Sequence, residues 1–291
     1  EGEEEKEDKV LKEFEQGMIE FGSGKYEEVF HAGMNRCGGA RVLFEHIQEL
    51  TKKKNKRKEK STELKRGIWN LSKAGGEDLE ELIRIGLVEF VVSQITIGVE
   101  EEGEEVDETI VGEACDAMLT ILGNQKTIRT LEGTNALGGI TESLVGAIGI
   151  GVRKNDPKIA HNSCGAIWNI AAFTKPTFRQ EMAERHGAIV GVISAMRKFP
   201  SEATVQERAC GAIYAISAGS FQNQRNFCES GAIELIVSAI TAHQREEDEG
   251  GVQKWAIDAL ENLVGSSTLH STHFSDMRFR EAIGAVLAKR R

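Results

Sequence analysis

Apolar residues fall into segments with helical spacing along this chain, and one kind of segment returns at a nearly constant distance. Its clearest copy reads CGAIWNIA, from Cys164 to Ala171. The variants RGIWNLS, DAMLTIL, GAIYAIS and DALENLV complete a series in which one equivalent position, the reference slot, holds Asn70, Thr120, Asn169, Ala215 and Asn262. The steps between these residues are 50, 49, 46 and 47. Such spacing predicts an array of helical repeats.

A second kind of apolar segment alternates with the first. Its copies begin at Gly39, Gly86, Asn135, Gly187 and Gly231, with steps of 47, 49, 52 and 44. Each repeat therefore holds at least two long helices, and shorter helical segments precede several copies of the second series. We predict an all-α chain whose core is built by stacking. It divides into an acidic leader with capping helices (1–38), the repeats (39–267) and a C-terminal capping helix (268–291).

The long helix that carries the reference slot has an apolar side and a mixed side. At about 100° per residue, slots −5, −3, −2, +1 and +2 share the apolar side, which we predict to be core. Slots −8, −7, −4, −1 and 0 form the opposite, open side, and they hold all three tryptophans and one of the two tyrosines. The predicted partner-binding residues are Trp69, Asn70, Glu113, Asp116, Asn162, Trp168, Asn169, Arg208, Tyr214, Trp255, Asp258 and Asn262.

This set of side chains is typical of surfaces that bind extended peptides. Asparagine amides can bond the backbone of a ligand, while aromatic rings form pockets for its side chains. The alternative is that the aromatic rings pack against the equivalent helix of the neighbouring repeat and never meet a ligand.

The order of a short helix, a medium apolar helix, a variable loop and a long helix resembles the armadillo repeat. The stretch GAIVGVISAM…VQERACGAIYAISAG is similar to the consensus of that family, and the resemblance covers five copies over about residues 39 to 267. It implies a right-handed α-solenoid of five to six three-helix repeats with degenerate ends, in which the third helices line a concave groove. In the nuclear-import adaptors of the family, tryptophan precedes asparagine by four residues. Here that slot holds Arg66, Gly165 and Asp258, and tryptophan occupies slots −1 or −7.

Charge narrows the choice of partner. The formal net charge is −10, with 46 acidic against 36 basic residues. This balance disfavours nucleic acid, because neutralising phosphates needs a basic surface. Acidic residues on the open side favour a basic ligand through long-range attraction, namely Glu63, Glu113, Asp116, Glu207, Asp258 and Glu261.

The functional expectation is a monomeric, non-enzymatic scaffold that binds an extended basic polypeptide segment in the groove of third helices. Two alternatives remain open: a nuclear transport adaptor, and the regulatory armadillo region of a larger enzyme. No Ser, His and Asp grouping, carboxylate pair or metal-ligand set can be assembled from the spacings, so neither catalysis nor a cofactor is expected.

Three motifs that hint at other chemistry are incomplete. The GSGK of Gly22–Lys25 lacks the GxxxxGK[ST] pattern of a phosphate loop. The glycines of Gly146–Lys154 end a helix rather than follow a strand, which argues against a dinucleotide loop. His270 and His273 have no nearby acidic or cysteine partner for a metal.

Cysteine usage favours a reducing compartment. Cys115, Cys164 and Cys210 all occupy core slot −5, so we interpret them as small buried apolar residues rather than as disulfide partners.

The acidic N-terminus is unlike a secretory signal, and the absence of an initiator methionine indicates a fragment or a processed chain. The apolar window from Leu144 to Val152 is too short to span a bilayer. A cytoplasmic location is expected, with the nucleus as the alternative. The basic run Lys52–Lys60 fits a solvated loop better than a nuclear signal.

Overall fold

The computed structural model describes residues 39–52, 61–73, 76–100, 108–134, 136–243 and 251–264, and these form helices joined by turns, without a strand. Several sequence motifs lie outside this part of the chain. They are the leader with GSGK, residues 53–60 of the basic run, the acidic loop 101–107, the histidine pair and the C-terminal helix. The described helices divide between two compact units, which meet in sequence at Ile121 and Leu122.

The first unit contains five of the described helices. They are α1 (Gly39–Lys52), α2 (Ser61–Ser72), α3 (Gly76–Arg84), α4 (Leu87–Glu100) and α5 (Glu108–Ile121). Helix α5 packs on both α2 and α4. The rings of Phe44 in α1 and Phe90 in α4 meet edge to face with centroids 5.6 Å apart. The core of this unit is therefore formed where consecutive helices bury their apolar sides together.

The second unit contains nine described helices in three successive sets of short, medium and long. The sets are α6 (Gln125–Glu132), α7 (Ala136–Lys154) and α8 (Pro157–Phe173); α9 (Pro176–Glu184), α10 (Ala188–Lys198) and α11 (Ala203–Ser217); and α12 (Phe221–Glu229), α13 (Ala232–Ala242) and α14 (Val252–Val264). We call α2, α5, α8, α11 and α14 the third helices, because each carries a reference slot. Helix α11 packs between α8 and α14, while α7 packs on both α8 and α10.

Glycine at the start of a second helix has a conformational role. Gly187 and Gly231 stand immediately before α10 and α13 with φ of 70° and 80°, and Gly86 before α4 has φ of 105°. Residues with a Cβ rarely adopt these left-handed angles, so glycine allows the chain to turn sharply between the first and second helices. This explains why glycine opens most copies of the second apolar series.

In two successive repeats, a glutamine at the start of the third helix donates hydrogen bonds to carbonyls at the end of the second helix. The Gln206 amide donates to the carbonyls of Met196 and Phe199, at 3.0 and 2.9 Å. Gln253, in the same slot one repeat later, donates to the carbonyls of Ile240 and His243 at 2.7 and 3.1 Å. Carbonyls at the end of a helix lack partners within the helix, so this contact fixes the loop between the two helices at its ends.

Helix α7 is longer at its C-terminal end than the sequence pattern indicated. The apolar pattern predicts a helix over 135–151, whereas the helix begins at Ala136 and continues to Lys154. It is the one helix in the described ranges that is long and apolar enough to cross a membrane by length and composition. Half of its apolar window is buried within the fold, and a core helix passes the same test.

Candidate functional site

The third helices α8 and α11 bury the whole side that the sequence predicted as core, whereas in α14 Ile257 and Val264 of that side are partly exposed. In α8 the slots −5, −3, −2, +1 and +2 hold Cys164, Ala166, Ile167, Ile170 and Ala171, all fully buried. The predicted burial of Cys115, Cys164 and Cys210 is also confirmed, since all three are fully buried. Burial raises the pKa of the Cys164 thiol from 9.0 to about 12, because a thiolate is poorly solvated in an apolar interior. Such thiols are inert packing groups.

Three aromatic side chains meet on the opposite side, one from each third helix of the second unit. The rings of Trp168 in α8 and Trp255 in α14 have centroids 4.4 Å apart with planes inclined at 70°. The Tyr214 ring of α11 lies 6.1 Å from that of Trp255. We call these three residues the aromatic cluster. Its members remain partly accessible, and Tyr214 is the most exposed with 39% of its surface open.

The cluster forms because the middle helix has no side chain where Trp168 lies. A Cβ placed on Gly211 of α11 would come within 2.6 to 2.7 Å of three ring atoms of Trp168, which is closer than packed atoms approach. The indole therefore lies directly on the backbone of α11 and extends toward Trp255, which belongs to the second repeat beyond its own. The two open interpretations of the aromatic residues are thus combined: the rings pack between repeats and still face outward in part.

Each tryptophan of the cluster carries a cation over its ring. The guanidinium carbon of Arg208 is 5.6 Å from the Trp168 ring centre, and the Lys254 ammonium is 4.8 Å from that of Trp255. Such cation–π contacts contribute about 0.5–2 kcal/mol each. Within the described ranges neither cation forms a salt bridge.

The asparagines of the open side differ in what their amides contact. Asn169 is partly exposed, and no hydrogen bond of its amide is present among the described residues. Asn162, two turns earlier in α8, is 3% exposed, and its Nδ2 is buried with no acceptor in the described part of the chain. The prediction that Asn162 faces outward is therefore wrong. Slot −7 lies beside the adjacent third helix, and helix α11 packs extensively on α8.

Asn262 is engaged within the fold at the end of α11. Its Nδ2 donates to the Tyr214 carbonyl at 3.2 Å and to Ser217 Oγ at 2.8 Å, and its Oδ1 accepts from Gln224 at 3.4 Å. Arg179 of α9 donates to the Ala215 carbonyl at 3.5 Å, and Asn223 of α12 donates to that of Ile216 at 2.9 Å. Side chains from three other helices therefore satisfy the last carbonyls of α11, a task usually performed by a C-terminal cap.

Comparisons with solved structures identify this arrangement of helices. A designed armadillo repeat protein named YIII(Dq)4CqI aligns with 88% of this chain and 92% of its own at 21% identity and a TM-score of 0.59. A designed armadillo repeat protein in complex with the peptide (KR)4 aligns at 20% identity and a TM-score of 0.57, over 87% and 91% of the two chains. Computationally designed armadillo repeat proteins for modular peptide recognition align at 20% identity and 0.56, over 84% and 98%. The chain has the armadillo-type repeat fold. No protein-family model and no curated protein matches its sequence.

The all-α armadillo-type solenoid predicted from the two apolar series is thus confirmed as the fold class. In this armadillo-type fold, the open side defined from the sequence lies on the third helices. No group of three His, Cys, Asp or Glu side chains that could hold a metal ion occurs within the described ranges.

The armadillo-type helices of the first unit also present residues from the predicted set. Trp69 of α2 is partly exposed, with the Lys73 ammonium 5.4 Å from its ring centre. Asn70 is 3% exposed, so the prediction that it faces outward is wrong. Helix α5 packs on α2. Glu113 and Asp116 of α5 are partly exposed, whereas the Glu63 side chain lies outside the described part of the chain.

Acidic residues accompany the aromatic cluster on the armadillo-type third helices of the second unit. Glu207 of α11 and Asp258 of α14 are partly exposed, and Glu261 is exposed. Gly211 and Lys254 were not among the predicted binding residues, although both occupy open-side slots and could have been selected from the same wheel. Gln224 could not have been selected from the helical wheel, because it lies on a first helix and comes close to the third helices only when the chain is folded.

Proposed function

We propose that this chain is a non-enzymatic scaffold that binds an extended, basic polypeptide segment along the third helices α8, α11 and α14. The observation that supports this function is the aromatic cluster, in which two tryptophans and a tyrosine lie on the outward side of the third helices of three consecutive repeats. Large rigid rings that remain accessible are the usual anchors of protein interfaces.

The groups around the cluster fit a peptide better than a compact ligand. The Asn169 amide, with no hydrogen-bond partner among the described residues, can both donate to and accept from a peptide bond. Such backbone contacts hold an extended strand of ligand, while the rings select its side chains. The repeat of the same helix at regular intervals presents equivalent slots along an extended binding surface.

A basic ligand is favoured by charge. The whole chain carries a formal net charge of −10. Glu207, Asp258 and Glu261 lie on the same third helices as the aromatic residues. Electrostatic attraction of this kind accelerates encounter and falls as salt rises. The peptide (KR)4, which one of the similar designed proteins binds, is also basic and is therefore a suitable probe.

The test is a binding titration of fluorescent (KR)4 with the full chain and with Trp255→Ala. We expect saturable binding that weakens with added salt and falls about thirtyfold or more in the variant, because an aromatic anchor contributes about 2 kcal/mol or more. The matched control is Phe221→Ala, since Phe221 is 66% exposed but lies on a first helix. Circular dichroism checks that both variants fold. An equal loss in the two variants, or no binding by the wild type, would contradict the proposal.

A further inference from the structure

We propose that Arg208 and Lys254, held on the rings of Trp168 and Trp255, form a subsite for a carboxylate side chain of the bound polypeptide. The inference rests on the proposed function and adds to it the charge pattern of the ligand. A basic segment with one Asp or Glu in register with the aromatic cluster is the partner that this surface fits.

The first observation is that both cations lie over rings of the aromatic cluster, and that these two rings contact each other. Arg208 lies 5.6 Å from the ring centre of Trp168, Lys254 lies 4.8 Å from that of Trp255, and the two rings are themselves 4.4 Å apart. The rings support the alkyl stems and reduce the freedom of the charged groups. Both cations are therefore held over rings of the same cluster before any ligand arrives.

The second observation is that these charges are not neutralised. Within the described ranges neither cation forms an ion pair or a hydrogen bond. Carboxylates are close in sequence, since Glu207 precedes Arg208 and Asp258 follows Lys254 by four residues. That spacing on a helix allows an ion pair, yet the Lys254 ammonium lies over the indole instead.

The third observation concerns hydrogen-bond donors without acceptors. Among the residues that the structure describes, Nε of Arg208 is buried without a hydrogen-bond partner, and so is Nδ2 of Asn162. These two residues occupy the same slot, −7, in adjacent third helices that pack together. A buried donor without an acceptor costs about 1–3 kcal/mol. Because no acceptor fixes the guanidinium, it can turn on the Trp168 ring to meet a ligand.

A carboxylate of the ligand is the group that fits all three observations. It offers two oxygens that each accept more than one hydrogen bond, and its planar shape matches the fork of arginine. A backbone carbonyl of the ligand would also accept hydrogen bonds, but it would leave two positive charges uncompensated. The same cations repel a lysine or arginine at this position, so they also set the register in which a basic segment binds.

The experiment uses (KR)4 and two sets of eight derivatives, in which each position in turn is Glu or Gln. Affinities are measured with the full chain as wild type, Arg208→Glu, Lys254→Glu and the milder Arg208→Gln. The matched control is Lys198→Glu, which makes the same change of charge at an exposed position of α10, a second helix. Circular dichroism confirms that each variant folds.

We expect one position at which the wild type binds the Glu peptide about fivefold more tightly than the Gln peptide. Arg208→Glu should reverse this preference, Arg208→Gln should remove it, and Lys198→Glu should leave it unchanged. The inference is overturned if no position prefers Glu, or if Arg208→Glu and Lys198→Glu change all affinities equally. Binding of (KR)4 without any Glu preference would overturn the inference alone, whereas no binding by any peptide would overturn the proposed function as well.

Discussion

The indole rings of Trp168 and Trp255 are in contact, with centroids 4.4 Å apart, although a whole repeat with its own third helix lies between the two residues in sequence. In a stacked array each repeat ordinarily contacts its neighbours only. This contact is possible because Trp168 lies flat on Gly211 of the intervening helix. The same rings therefore link three repeats and form the candidate binding surface, so stability and recognition are coupled here.

Replacing Gly211 with alanine should destabilise the fold. The added Cβ would come within 2.6 Å of the Trp168 ring, which must move. Overpacking of this kind costs about 1–3 kcal/mol, and the higher helix propensity of alanine returns about 1 kcal/mol. We expect a net loss of about 1 kcal/mol, within a range of about 0–2 kcal/mol, in the free energy of unfolding measured with urea.

Two comparisons separate the steric effect from helix propensity. Gly139→Ala changes an exposed glycine of α7 with no atom within 4 Å of the new Cβ, so it should stabilise by about 0.5–1 kcal/mol. In a Trp168→Ala background, Gly211→Ala should also lose its cost. If Gly211→Ala destabilises equally with and without the indole, the ring contact is not the cause.

Asn169 and Asn262 share the reference slot, but their replacement by alanine should give opposite results. Asn262→Ala removes two donated hydrogen bonds at the end of α11, so we expect a loss of about 1–3 kcal/mol in unfolding free energy. Asn169→Ala should change stability by less than about 0.5 kcal/mol and weaken peptide binding. Urea denaturation and a binding titration of both variants check this pair, and equal stability losses would show that Asn169 is also structural.

The contrast between these asparagines shows what the sequence could predict. The helical wheel correctly placed the core, because the period of 3.6 residues fixes which slots lie together. It could not show that slot −7 is covered at Asn162, since that depends on how closely α8 and α11 approach. Nor could it distinguish a free amide from one bonded to another helix. The three aromatic residues that converge all belong to the predicted set, but their convergence depends on the missing side chain of Gly211.

The glutamine contacts make a further prediction about the loop between second and third helices. Gln206→Ala removes two hydrogen bonds to helix-end carbonyls from a residue that is 2% exposed. We expect a loss of about 1–3 kcal/mol in unfolding free energy, because buried carbonyls lose their donor. Gln253→Ala should act in the same direction. Gln222→Ala is the control, since its amide contacts only Asn226 on an exposed helix face, and it should change stability by less than about 0.5 kcal/mol.

The buried thiol of Cys164 should make the fold less stable in alkaline solution. Its pKa is about 12 in the folded chain against 9.0 for an exposed thiol. Above pH 9 the unfolded chain therefore releases this proton while the folded chain retains it, so stability is complete below pH 9 and falls as pH rises toward 12. The loss attributable to this group between pH 9 and pH 10 is about 1 kcal/mol.

The measurement is the unfolding free energy of wild type and Cys164→Ala at several pH values from 8 to 10. We expect the decline above pH 9 to be shallower in the variant, whatever its absolute stability. Ser163→Ala is the control, because Ser163 is equally buried but does not titrate in this range. Burial also raises the pKa of Cys210, so the double variant with Cys210→Ala should flatten the curve further. Parallel curves for Cys164→Ala and wild type would mean that the thiol ionises without unfolding, which requires water to reach the interface of α8 with its neighbours.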